Sequence, residues 1–267
     1  MSKDNFSKTS AGPRARLQQD LFPGDLIVEI GRSFLGVPYQ AGTLEKKGPE
    51  KLVATLAAFD CTTFVETVLA LACCVRNGKL STPEFHKHLK DIRYRGGKIN
   101  GYASRLHYFT DWLSDNEQKK IVTDVSRLLG GQRRRKKIDF MTAQRDRYPA
   151  LASSAVLARM RAVEARLSSK TVHVLTGQQV FRKKAGILPG DIIAFTTDQK
   201  GLDVAHIGFA VTSGRSLRLL HASSREDAVV VSRQTLPVYF KSNKQFTGMI
   251  VARFFAEGHQ GSGTFSR

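Results

Sequence analysis

Cys61, His206 and His221 are the residues of this sequence whose types and settings could together do covalent chemistry. Cys61 stands in Phe59-Asp60-Cys61-Thr62-Thr63-Phe64-Val65-Glu66, just ahead of apolar residues at helical spacing: Phe64, Val65, Val68, Leu69, Leu71, Ala72 and Val75. That spacing predicts a helix to about Arg76, started by Asp60 and the two threonines and stopped at Asn77-Gly78. A cysteine in the first turn of a helix meets free N–H groups and the positive end of the helix dipole. Both favour thiolate over thiol, and the same N–H groups can hold the oxyanion that forms when sulfur attacks a carbonyl. A buried cysteine alone is most often an inert core residue, so the reading depends on what else the chain carries.

The histidines supply it. Leu188 to Phe195 reads as a turn and then a strand, Asp203 to Val211 as a second strand with His206 near its start, and Leu219 to Ser224 as a third containing His221. Short strands joined by turns predict an antiparallel meander. Neighbouring strands lie about 4.8 Å apart, so histidines on adjacent strands can stand side by side on one face. A thiol, a base and a group that orients the base are the parts that covalent acyl transfer requires.

The elements that must hold these residues follow from the same patterns. Asp25 to Phe34 has helical apolar spacing and leads into Tyr39; the helix carrying Cys61 comes next. A mostly helical and irregular insertion, about 83–175, separates the Cys half from the His half. Its clearest helix is Ser153 to Leu167, with Val156, Leu157, Met160, Val163 and Leu167 on one face. From Gly190 the chain reads as strand throughout: 191–197, 206–213, 217–223, 228–232 and 246–254. The expected architecture is α+β, with helices on an antiparallel sheet or half-barrel and a cleft between them. Residues 21–256 form one domain, 1–20 a basic disordered arm and 257–267 a flexible tail.

The order of helix-start Cys, strand His and next-strand polar residue resembles the NlpC/P60 superfamily of papain-like cysteine peptidases and amidases. It is most similar to the N-acetylmuramoyl-L-alanine amidase-like branch, also known as domain of unknown function 1460. The resemblance rests on Gly36-Val37-Pro38-Tyr39-Gln40-Ala41-Gly42, Asp60-Cys61-Thr62-Thr63-Phe64-Val65-Glu66 and Ile92-Arg93-Tyr94-Arg95. It continues through Gly101 to Trp112, Pro189-Gly190-Asp191, Asp203 to Phe209 and Leu220-His221-Ala222-Ser223. It implies Cys61 as nucleophile, His206 as general base and His221 as the residue that orients it, with Tyr39 and Thr62 supporting the oxyanion. Thr62-Thr63 replaces the Ser-Gly that commonly follows the cysteine in the superfamily. The activity implied is hydrolysis of a peptidoglycan amide, foremost the N-acetylmuramoyl–L-alanine bond. A stem-peptide endopeptidase, an acyltransferase and an idle wall-binding protein are the alternatives. Arg105, His107, Tyr108, Asp111 and Asp203 are candidates for substrate contact, each with a plain structural alternative. Peptidoglycan or muropeptides are the expected partners, no cofactor or metal is implied, and the oligomeric state stays open.

Composition adds bounds. The chain of 267 residues carries a formal charge of +19, with a local run at Gln132-Arg133-Arg134-Arg135-Lys136-Lys137 that reads as a solvated, mobile loop. No helix-turn-helix, zinc-finger or RNP pattern accompanies the charge, so nucleic acid is disfavoured and the anionic cell envelope is the expected attractor. Cys73 and Cys74 fall about 18 Å from Cys61 along one helix, at ~1.5 Å per residue, too far to pair with it. There is neither a C-x-x-C nor an H-E-x-x-H pattern to hold zinc. No apolar run spans a membrane. Met1 to Pro13 shows no secretory h-region, although the resemblance implies the envelope or periplasm.

Overall fold

The computed structural model describes residues 21–46, 48–182 and 186–255; the expected arm at 1–20 and tail at 257–267 lie outside the described residues. Helix α1, Pro23–Arg32, opens with a proline whose missing N–H costs nothing there and has Asp25 in its first turn. Helix α2, Cys61–Arg76, is buried on nearly every side from Thr63 to Val75, as a helix apolar around its whole circumference must be. Asn77 caps its end and Gly78 follows at φ 65°. Helix α3, Thr82–Arg93, packs against α2 after a Ser81 cap.

The C-terminal half supplies the sheet. Strands β1 (Val122–Asp124), β4 (Ile192–Thr197), β5 (Val204–Ser213), β6 (Ser216–Ser223), β7 (Ala228–Thr235) and β8 (Phe246–Phe254) form one sheet in the order β1-β8-β4-β5-β6-β7, antiparallel throughout. The meander from β4 to β7 is the one the turns predict. Both sheet faces are covered, which explains why β4 reads Ile192-Ile193-Ala194-Phe195 rather than alternating with polar residues. Ile192, Ala194, Ile207, Phe209 and Leu220 face α1 and α2, while Ile193, Phe195, Leu219, Met249 and Val251 belong to a second core. Helix α1 docks closely at the Pro189-Gly190 turn. A Cβ on Gly190 (φ 85°) would lie 2.4 Å from the Gly24 Cα, and one on Gly24 would lie 2.3 Å from the Pro189 carbonyl oxygen.

Two expectations need correcting. The C-terminal half is not strand throughout, because Leu236–Ser242 forms a helix (α8 below) between β7 and β8, with Pro237 in its first turn. The basic run is not a mobile loop. Gln132–Arg134 is strand β2, paired antiparallel with β3, Val172–Val174, and Lys136 donates to the Gln199 carbonyl at 2.7 Å. Backbone pairing needs no apolar pattern, so charge alone misleads here. Within the insertion, helix α4 (Phe109–Gln118) packs Phe109, Trp112 and Leu113 into the core beneath α1 and α2, whereas the short helix α5 (Phe140–Ala143) and helix α6 (Ser154–Ser169) enclose a small core of Tyr102, Tyr108, Ile138, Met141, Leu151, Met160 and Leu167. A seventh helix, α7, covers Gly177–Arg182, and the helix at Leu236–Ser242 is α8.

Candidate active site

Asp60 sets the position of Cys61. In extended conformation it accepts the Thr63 N–H at 2.8 Å, while its own N–H donates to Thr63 Oγ1 at 2.9 Å. This reciprocal cap satisfies two otherwise open donors and makes Cys61 the first residue of α2. The preceding residue, Phe59, is bridged to the Tyr39 segment: Phe59 N–H donates to Pro38 at 3.0 Å and Gln40 N–H to Phe59 at 2.8 Å. Tyr39 thereby comes close enough for a Cys61 thiolate to raise its phenol pKa, although burial is the larger cause.

The half-buried Cys61 thiol sits in opposing fields. Burial and the Asp60 carboxylate raise its pKa, hydrogen bonds from the Ile207 N–H and from the Thr62 hydroxyl and N–H oppose the rise, and the balance lies at about 11. Ile207 directly follows His206, so the strand that carries the imidazole also donates to the sulfur. Cys61 and His206 line one cavity of about 100 Å³, together with Thr62, His107 and Asp203.

The two histidines meet as the strand geometry predicts. Phe209 pairs with Leu220 across β5 and β6, so Gly208 falls opposite His221 and His206 sits diagonally, on the same face. A Cβ on Gly208 would lie 2.8 Å from the His221 Cβ, so only glycine leaves His221 its place. His206 Nε2 and His221 Nδ1 are 2.6 Å apart. Burial, with the nearby Arg225 charge adding to it, pushes His206 down to about 4. Burial and His206 push His221 down to about 3. Both rings are therefore neutral near pH 7, and one must donate to the other. With His206 Nε2–H as donor, His206 Nδ1 keeps a lone pair free for a thiol proton.

Tyr239, on α8, is the residue that sequence reasoning missed. Its ring lies 5.3 Å from His221 and 6.4 Å from His206, and Cys61 is among the groups that raise its pKa, after burial. No spacing in the sequence announces it.

The candidate substrate residues separate. His107 lines the Cys61 cavity, is pushed down to about 3 by burial and the Arg105 charge, and bonds the Tyr102 carbonyl at 2.9 Å. Asp203 also lines that cavity, but its oxygens are occupied. It accepts from the Thr110 N–H (2.8 Å) and hydroxyl (2.9 Å) and from the Val204 N–H (2.8 Å). It thus caps α4 from across the fold, where Tyr108 offers no cap of its own. Arg105 is 5% exposed, 2.8 Å from Glu45 and 3.3 Å from Glu50, at the rim of an adjoining cavity of about 210 Å³ that shares Thr62, Leu106, His107 and Leu202 with the first. Tyr108 donates to Glu164 at 2.7 Å inside the insertion core. Asp111 binds Arg95 (2.9 and 2.7 Å) and Arg166 (2.7 Å), whose bonds outweigh burial and hold its carboxyl below the usual range. The structure therefore gathers Cys61, Thr62, Tyr39, His206 and His221, sets His107 and Asp203 beside them, and gives Tyr108 and Asp111 internal partners. Among the described residues no group of three or more His, Cys, Asp or Glu side chains could hold a metal ion, and no helix is long and apolar enough to cross a membrane.

Comparison with known proteins gives a consistent result. A sequence profile described as AmiA-like, N-acetylmuramoyl-L-alanine amidase-like, matches residues 29–249. The crystal structure of an N-acetylmuramoyl-L-alanine amidase from Bacteroides uniformis ATCC 8492 is 41% identical; the match covers 88% of this chain and 99% of that one, with a TM-score of 0.84. A Bacteroides fragilis protein provisionally named a xylanase is 38% identical over 85% of this chain and 99% of that one, with a TM-score of 0.80. A Legionella pneumophila str. Philadelphia 1 protein of domain of unknown function 1460 is 21% identical over 96% of this chain and 95% of that one. Its TM-score of 0.71 shows a shared fold. No curated protein matches. The chain belongs to the N-acetylmuramoyl-L-alanine amidase-like family.

Proposed function

We propose that this protein is a cysteine-dependent amidase of the NlpC/P60, papain-like class that cleaves the N-acetylmuramoyl–L-alanine amide of peptidoglycan fragments. The observation that carries this reading is the convergence at Cys61: a capped helix start, a shared cavity with His206, and His206 Nε2 held 2.6 Å from His221 Nδ1.

In this reading Cys61 Sγ attacks the lactyl carbonyl carbon as its proton passes to His206 Nδ1. The first-turn N–H of Thr62 and the Tyr39 hydroxyl steady the oxyanion. When the C–N bond breaks, the new His206 proton goes to the departing alanine nitrogen, leaving a thioester. Water then attacks with His206 as base, the C–S bond breaks and the sulfur recovers its proton. His221 holds the ring in the required tautomer and accepts the stronger bond that the imidazolium donates. Residues 21–256 act as one domain, with the 83–175 insertion forming one wall of the cleft.

The xylanase name of one relative finds less support here. Glycoside hydrolysis uses two carboxylates flanking the bond, and the Cys61 cavity offers one, Asp203, already bonded to Thr110 and Val204.

The test is mass spectrometry of purified muropeptides after incubation with the protein. The expected products are a lactyl-bearing sugar and a stem peptide with a free alanine amine, and none with Cys61→Ala. A cut inside the stem peptide, transfer to another acceptor, or no product sinks the assignment.

A further inference from the structure

We propose that Arg225 forms an anion subsite beside the reacting groups, and that it binds a carboxylate on the leaving peptide close to the scissile amide. The proposal rests on the amidase reading above for the direction of the substrate, and on geometry for the site itself.

Arg225 sits in the turn between β6 and β7, and that turn is held at several points. The Ser223 hydroxyl accepts the N–H groups of Arg225 (3.3 Å) and Glu226 (3.2 Å). Asp227 takes the left-handed conformation at φ 50°, and its carbonyl accepts the Tyr39 N–H at 2.8 Å. Two further bonds, Gly36 N–H to Val229 (2.9 Å) and Val229 N–H to Val37 (2.8 Å), stitch the hairpin to the segment that reaches Cys61. A rigid turn thus presents the exposed Arg225 at the mouth of a cavity of about 470 Å³, which His206, His221 and Tyr239 also line.

The charge is felt where it matters. Arg225 adds to the depression of His206 and opposes the rise of Tyr239. Its side chain nevertheless forms no hydrogen bond or ion pair among the described residues, and neither does that of Glu226. The cations of the larger cavity, about 580 Å³, are in another state. Arg134 donates to Gln132, Arg135 to the Ser168 carbonyl, Lys136 to Gln199 and Lys170 to Ser114. Arg233 also lines the 470 Å³ cavity but perturbs neither histidine. An unpaired guanidinium carried on a fixed turn at a cleft is suited to two-point binding of a carboxylate. In the proposed substrate the residue after alanine is a glutamate joined through its side chain, so its α-carboxylate is free and near the bond to be cut.

The experiment compares N-acetylmuramoyl-L-alanyl-γ-D-glutamate with its α-amide, which lacks only the charge. Wild-type kcat/KM is expected to favour the acid by about 10-fold or more, the order of a charge-assisted hydrogen bond at a wet site. Arg225→Ala should bring the acid down to the level of the amide through KM, and be partly rescued in Arg225→Lys. Arg225→Glu should invert the preference. The same comparison by calorimetry, with L-alanyl-γ-D-glutamate and its α-amide on the Cys61→Ala background, reads binding without turnover. Loss of acid binding on Arg225→Ala supports the subsite even if neither muramoyl compound is cleaved, in which case the amidase reading alone fails. An acid-to-amide ratio that is the same with and without Arg225, or no binding of either peptide, overturns the subsite.

Discussion

Burial and the Asp60 carboxylate push the Cys61 thiol up to about 11, and burial pushes His206 down to about 4, so the free site favours a neutral thiol and imidazole over an ion pair. Iodoacetamide alkylation of Cys61 should therefore rise with pH toward about 11. A plateau in the acid range would reveal a preformed thiolate instead. Cys61→Ala and Cys61→Ser should abolish turnover, whereas Cys73→Ser and Cys74→Ser should leave the chemistry intact. In the proposed mechanism His221 orients rather than transfers, so His221→Gln should keep part of the activity and His221→Ala less. Full turnover in His221→Ala, with an unchanged thermal melt, would mean that His221 serves only the strand. The histidines also set a pH limit on stability. His206, His221 and His107 stay neutral in the fold until pH reaches about 4, 3 and 3, whereas the unfolded chain protonates its histidines near ~6.5. Below ~6.5 the unfolded state holds more protons, so stability falls with pH, and above it these groups add no slope. The melting temperature should thus drop from neutral pH toward pH 4, less steeply in His221→Gln.

Elements enter the site through a few contacts that can be broken singly. Gly208→Ala places a methyl 2.8 Å from the His221 Cβ and from the Leu220 carbonyl oxygen. Its expected signature is a loss of activity out of proportion to the loss of melting temperature, since His221 must move. The bond between α2 and α3 is a buried ion pair, Glu66 to Arg93 at 2.6 Å, with both side chains at most 2% exposed. Burial raises the Glu66 pKa and Arg93 opposes it. Arg93→Ala strands that carboxylate and should cost about 3–5 kcal/mol, measurable by denaturant unfolding. Much of this scaffold is legible in the sequence. The Cys61 helix, the α6 helix and the β4–β7 meander follow from apolar period and turn residues, and the side-by-side histidines follow from strand alternation. What escapes is anything fixed by distant pairing. Nothing in Leu236-Pro237-Val238-Tyr239-Phe240 separates a short helix from another strand, so Tyr239 stays hidden. The β2–β3 ribbon is missed because its strand is charged. Asp203 was legible as a cap or a ligand, and only the fold shows that it caps α4.

For the molecule as a whole, the +19 charge predicts attraction to anionic wall material that weakens steeply with salt. Screening acts over about 8 Å at physiological ionic strength, so contacts within the cleft should be affected less. Pull-down with purified wall across a salt series measures this, and binding indifferent to salt would assign the charge another purpose. The chain order has a separate consequence. Cys61 belongs to the first helices, His206 and His221 to late strands, and β8, the last strand described, lies between β1 and β4 in the interior of the sheet. A chain released N-terminus first therefore carries the proposed nucleophile long before the proposed base, and its sheet stays divided until the final strand is laid in. A chain stopped after Asn243 should be inert toward muropeptides, and a separate peptide covering Phe246–Phe254 should switch it on, with a lag set by strand insertion rather than by substrate.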